Sequence, residues 1–172
     1  MPIEQLATPI HTLAEKLGEA LLARGFVLAT AESCTGGWAS MAVTAVSGSS
    51  AWFERGFVTY SNEAKQEMLG VGADTLAAHG AVSEAVVKEM AEGAIARSGA
   101  QVSLAISGIA GPGGGSAAKP VGLVCLGWAV EGAETRARCL QCQGGREDVR
   151  RQAVVLALEG LLELLSASPG KG

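Results

Sequence analysis

The chain has 172 residues, 48% hydrophobic and 17% charged, with a formal net charge of −4. That length fits one domain, and such a domain buries roughly two-thirds of the surface its unfolded chain exposes, so neither metal nor disulfide is required for folding. The composition excludes a disordered chain, the absence of a basic run argues against nucleic-acid binding, and no apolar run reaches the ~18–20 residues of a membrane span.

Residues 3–24 carry apolar side chains at three- and four-residue spacing (Ile3, Leu6, Ile10, Leu13, Leu17, Leu21), which predicts a helix whose main body begins near Pro9 and ends at Arg24-Gly25. Residues 26–31 read as a buried strand. Thr35-Gly36-Gly37 turns the chain into a helix over 38–46. A strand, a glycine turn and a helix in that order suit an anion held at the helix N-terminus. Gly48-Ser49-Ser50 ends that helix, and a strand follows over 57–60. Residues 62–69 read as a helix capped by Ser61 or Asn62, 74–78 as a helical turn, and Ser83 caps a helix reaching about Arg97. Residues 102–107 form a strand, and a glycine-rich loop runs to Pro120. Residues 121–130 and 135–142 form an antiparallel hairpin, and 146–165 a final helix with Glu147 and Asp148 in its first turn. Residues 166–172 read as a frayed tail. Helices at both ends and strands between them predict a three-layer α/β/α fold, and the hairpin makes the sheet mixed.

Gly is 24 of 172 residues, about twice the usual ~7%, and most of the excess falls in a few short loops. Such loops let a backbone approach a ligand closely. Between them, residues 48–65 hold two adjacent serines, Tyr60 and Lys65, types that can act as a nucleophile with an amine base. Ser49 and Ser50 are both candidates for attack. An amine serves as base only when burial or nearby positive charge lowers its pKa. N–H donors for a tetrahedral intermediate are expected from the Ser49-Ser50 turn or from Gly108. Ser33, Thr35, Gly36 and the helix N–H groups after them are candidates for holding a phosphate.

Other constellations are weaker. Cys139 and Cys142 have C-x-x-C spacing, but positions three apart on a strand point to opposite faces, and no second Cys or His pair completes a zinc set. Cys34 is an alternative nucleophile, with only His11 and His79 available as an imidazole base. The loop 111–115 lacks the Lys-Ser/Thr ending of a phosphate-binding loop. The first residues lack the basic-then-apolar order of a signal peptide, so a cytoplasmic protein with four free thiols is expected.

Ala31-Glu32-Ser33-Cys34-Thr35-Gly36-Gly37, Gly48-Ser49-Ser50, residues 56–65, His79-Gly80-Ala81-Val82-Ser83, Ser107-Gly108-Ile109-Ala110-Gly111-Pro112 and Lys119-Pro120-Val121-Gly122 follow one another in an order that resembles the CinA C-terminal domain family. The resemblance covers about residues 5–165. It is to the standalone, PncC-type members, the nicotinamide-nucleotide amidohydrolases, since the larger members carry a further N-terminal domain. The resemblance implies hydrolysis of the carboxamide of nicotinamide mononucleotide (NMN) to nicotinic acid mononucleotide and ammonia, in NAD recycling. By motif position it places the catalytic serine and lysine at Ser50 and Lys65, with Tyr60 nearby. Ser107 falls where the family often has threonine, and Arg146 where it has a substrate-binding arginine. It implies no cofactor and no metal, a nucleotide substrate rather than nucleic acid or membrane, and a homodimer. The runners-up are a non-catalytic, nucleotide-binding CinA-like protein associated with competence, and an amidase for another amide.

Overall fold

A computed structural model describes the backbone of residues 3–167 and the side chains of 9–167. Five strands, β1 (Leu28–Glu32), β2 (Phe53–Val58), β3 (Val102–Gly108), β4 (Leu123–Val130) and β5 (Arg136–Gln141), form one sheet in the order β2-β1-β3-β4-β5. β1 is parallel to β2 and β3, while β4 is antiparallel to β3 and β5, so the sheet is mixed. Helices α1 (Ile3–Arg24), α2 (Trp38–Thr44) and α6 (Arg146–Ala167) cover one face. Helices α3 (Asn62–Leu69), α4 (Ala73–His79) and α5 (Glu84–Ala96) cover the other. The expected α/β/α layering is therefore present.

Strand alternation separates the two cores. Leu28, Leu104, Ile106, Val124 and Leu126 face α1 and α6, with Leu17, Leu21, Val154 and Leu158 packed on them. Ala29, Ala31, Ala105 and Ala129 face α5, where Val86, Val87 and Met90 fill the space. Small sheet residues on this side let α5 lie close. Gly93 on α5 takes this furthest: a Cβ there would overlap the main-chain carbonyl of Leu69 at the end of α3. Backbone cannot swing aside as a flexible side chain does, so Gly93→Ala should cost stability at the upper end of the ~1–3 kcal/mol typical of overpacking. Urea unfolding checks this; an unchanged midpoint would refute it.

Several expectations need correction. Helix α1 continues through Pro9, its seventh residue; a proline there forgoes one backbone hydrogen bond, while the turns after it keep theirs. The apolar contributions expected of Ile3 and Leu6, and the tail beyond Ala167, lie outside the described residues. Strand β2 starts at Phe53 rather than residue 57 and ends before Tyr60. It is an edge strand, and its polar middle, Glu54-Arg55, is exposed. Cys125 and Cys139 face each other across β4 and β5 and form a disulfide, leaving Cys34 and Cys142 as free, buried thiols. Four free thiols were expected; direct register opposition brings two of them together. Among the described residues, no helix is long and apolar enough to cross a membrane.

Candidate active site

The carboxyl ends of the parallel strands β1, β2 and β3 open onto one cavity, the usual ligand position in an open α/β sheet. It holds about 260 Å³ and is lined by Ser33, Cys34, Tyr60, Asn62, Lys65, Ala81, Val82, Ser107, Gly108, Ala110 and Arg146. Each strand end supplies a part. β1 runs into Ser33 and Cys34, β2 into Tyr60, and β3 ends with Ser107 and Gly108. Ser61 caps α3 by accepting the Ala64 N–H, which starts the helix so that Lys65 lies in its first turns and points inward.

Lys65 is 1% exposed, so it is not a solvated helix lysine. Its Nζ donates to Ser33 Oγ at 3.0 Å, to the Thr59 carbonyl at 2.9 Å and to the Tyr60 carbonyl at 3.2 Å. Burial pulls its pKa below the ordinary lysine value. A neutral amine has two N–H donors and one lone pair. Two carbonyls and one hydroxyl are the matching set: the amine donates to the carbonyls and accepts from Ser33 Oγ–H. The same contacts therefore suit both protonation states, with the Ser33 hydrogen bond reversing its direction.

The structure brings Ser33, Tyr60, Lys65, Ser107, Gly108 and Arg146 together. Tyr60 is 65% exposed at the cavity mouth and is thus not a packing residue. Ser49 and Ser50 lie elsewhere. They occupy the short 3-10 turn Ser49–Ala51 before the amino end of β2, whereas the cavity lies beyond its carboxyl end. At ~3.3 Å per residue, the six residues of β2 put Ser50 roughly 20 Å from the amine within one chain. The serine that meets Lys65 is Ser33. A donor role for the Ser49-Ser50 turn fails in one chain for the same reason, while Gly108 is in place.

The expected anion cradle at the start of α2 is corrected as well. Glu32, the last residue of β1, is fully buried, and its carboxylate accepts from Thr35 Oγ1 (2.7 Å), the Ala39 N–H (2.7 Å), the Ser40 N–H (3.1 Å) and Ser40 Oγ (3.0 Å). A carboxylate of the protein itself fills the place proposed for phosphate. Thr35 is buried and committed to Glu32, and Gly36 lies outside the cavity lining, with Arg150 beside it. Of the residues assigned to the phosphate, Ser33 remains at the cavity, as does Arg146, the expected substrate-binding arginine. Arg146 also donates to the Gly111 carbonyl at 2.8 Å, which anchors the glycine-rich loop beside the opening. Lys65 and Arg146 are the only charged residues of the lining, so its field favours an anionic ligand.

Cys34 also lines the cavity, but burial pushes its pKa up to about 11, so it stays a thiol at neutral pH. Neither His11 nor His79 lines the cavity. Among the described residues, no group of three His, Cys, Asp or Glu side chains gathers as a metal site. Sequence reading assigned no role to Glu32. A carboxylate closing the otherwise uncharged strand Leu28–Glu32 is the signal that would have found it.

Comparison with known proteins agrees with this architecture. The family model described as the CinA C-terminal domain matches residues 10–165. The chain is 57% identical over 151 residues to nicotinamide-nucleotide amidohydrolase PncC of Escherichia coli (strain K12), covering 87% of this chain and 90% of that protein. It is 53% identical to the protein of the same name from Pseudomonas putida, covering 91% and 97%. Among solved structures, the competence damage-inducible protein A from Klebsiella pneumoniae superposes with a TM-score of 0.89 at 43% identity, over 93% of this chain and 99% of that one. With its strand order, its cavity at the parallel strand ends and these matches over nearly its whole length, the chain belongs to the CinA C-terminal domain family.

Proposed function

We propose that the protein is an amidohydrolase that deamidates NMN, using Ser33 as nucleophile and Lys65 as base, and that it serves pyridine nucleotide recycling. The names of the relatives support the substrate. The single observation that carries the mechanism is the buried amine 3.0 Å from Ser33 Oγ. In its neutral form Lys65 takes the Ser33 proton as Oγ attacks the carboxamide carbon. The resulting ammonium then protonates the departing nitrogen, and ammonia leaves. An ester on Ser33 remains. Lys65, neutral again, draws a proton from water, and the hydroxide equivalent releases nicotinic acid mononucleotide and restores the serine.

The rest of the cavity suits the rest of the substrate. Arg146 is the charged partner for the phosphate. The face of Tyr60 offers a cation–π surface to the pyridinium, which the Arg146 cation would otherwise repel. Ammonia release from NMN in the presence of EDTA tests the activity directly; none by the wild type would end this reading in favour of a binding protein or another amide. Arg146→Ala should raise KM for NMN by about 10–100-fold, the equivalent of one hydrogen bond to a charged group, with a smaller effect on kcat. Turnover of nicotinamide riboside, which lacks the phosphate, should hardly change. An equal loss on both substrates would remove Arg146 from the phosphate.

A further inference from the structure

The mechanism above uses no carboxylate, yet one is buried immediately beside its nucleophile. Glu32 is 0% exposed and directly precedes Ser33. A buried carboxylate is tolerated only when well supplied with donors, and this one has four, shared between its two oxygens. Their placement is informative. Thr35 Oγ1 holds the turn two residues after Ser33, and the Ala39 and Ser40 N–H groups hold the start of α2 beyond it. Ser33 is fixed in turn by its own N–H, which donates to the Ile106 carbonyl of β3 at 2.9 Å. The turn is thus tied to the sheet at Ser33, to the Glu32 side chain at Thr35, and to Arg150, which donates to the Cys34 and Thr35 carbonyls. Ser33, which carries the hydroxyl, stands at the first of these ties, and Glu32 supplies the only carboxylate among them.

We propose that Glu32 is a positioning residue for catalysis: its carboxylate sets the turn that holds Ser33 Oγ against the Lys65 amine. This rests on the reading of Ser33 and Lys65 as the reacting pair. Arg146, Ala81 and Val82 stand on other parts of the chain, so a shift of this turn leaves the groups that would hold the nucleotide in place. Misplacing a reacting group by about 1 Å can cost on the order of 10²-fold in rate. A defect in positioning therefore falls on kcat rather than on KM.

The experiment compares Glu32→Gln, Thr35→Val, the double variant and Ser33→Ala by steady-state kinetics on NMN and by thermal melting. Glu32→Gln keeps the shape but turns an amide NH2 toward backbone donors. It should lower kcat about 100-fold with KM changed less than about threefold. Thr35→Val keeps the carboxylate and frees the turn, and should lower kcat about 10-fold. The double variant should be no worse than Glu32→Gln, because both cut one link. A folded Glu32→Gln with wild-type kcat, or one with raised KM and intact kcat, overturns the proposal. Should Glu32→Gln fail to fold, Thr35→Val decides alone: wild-type kcat in it overturns the proposal and a kcat-only loss supports it. Ser33→Ala separates the two levels. Full activity there removes the Ser33–Lys65 pair itself, whereas its loss beside an unaffected Glu32→Gln removes only the role of Glu32.

Discussion

Ser33→Ala should stop ammonia release from NMN by about four orders of magnitude or more, while Ser50→Ala should retain activity within a few fold. The first loss follows from removal of the one hydroxyl that the amine reaches. Lys65 keeps its bonds to the Thr59 and Tyr60 carbonyls in that variant, so the site stays assembled and the loss is chemical. Melting temperatures near that of the wild type would confirm this. Ser50→Ala tests the position of that serine at the far end of β2. A loss there as large as in Ser33→Ala would bring Ser50 in from a second copy and sink a site made by one chain.

Lys65→Met should lower kcat by about 10²–10⁴-fold and also change how stability depends on pH. Burial lowers the pKa of Lys65 in the folded protein, while the unfolded chain keeps the ordinary value. Between these two values the unfolded chain holds a proton that the folded chain has released, so wild-type stability rises with pH across that window. Below the folded pKa the full cost of the buried charge is present. Lys65→Met lacks this slope, so its stability relative to wild type should improve as pH falls through the window and then level off. Urea unfolding at several pH values measures this. In the active enzyme the same titration should appear as a rising limb of kcat/KM, with activity gained as the amine loses its proton. A wild-type profile that fell with pH over that range would rule out Lys65 as the base.

Much of the frame was legible because burial leaves a periodic trace. Strand β3 and helix α5 are apolar in the rhythm of a sheet and of a helix, and both were located to within a residue or two. Strand β2 was half missed because an edge strand has fewer neighbours to satisfy: Glu54, Arg55 and Gly56 face solvent and look like a loop. The disulfide was hidden for another reason. Spacing along the chain says nothing of pairing until the β4–β5 register sets Cys125 opposite Cys139. The site shows the same division. Lys65, Tyr60, Ser107 and Arg146 were identified by type and motif, and they line one cavity. The serine beside the amine is Ser33 and not Ser50; both follow helix or strand ends in polar turns, and only the direction of β2 tells which turn meets the amine. The glycine turn before α2 resembled an anion site for a sound reason, but the anion is Glu32 of the chain itself.

Two of the three partners of the Lys65 amine are main-chain carbonyls, those of residues 59 and 60. Every amino acid carries that group, so the amine is held by the path of the chain and not by the identity of those two neighbours. Position 60 is thereby divided in two. Its carbonyl holds the amine proposed as the base, and its exposed side chain faces the mouth of the cavity. Substitutions there can reshape what enters without disturbing the amine beneath. In a lineage drifting toward new carboxamides, or in a directed-evolution library, residue 60 is where selectivity can change while the reaction continues.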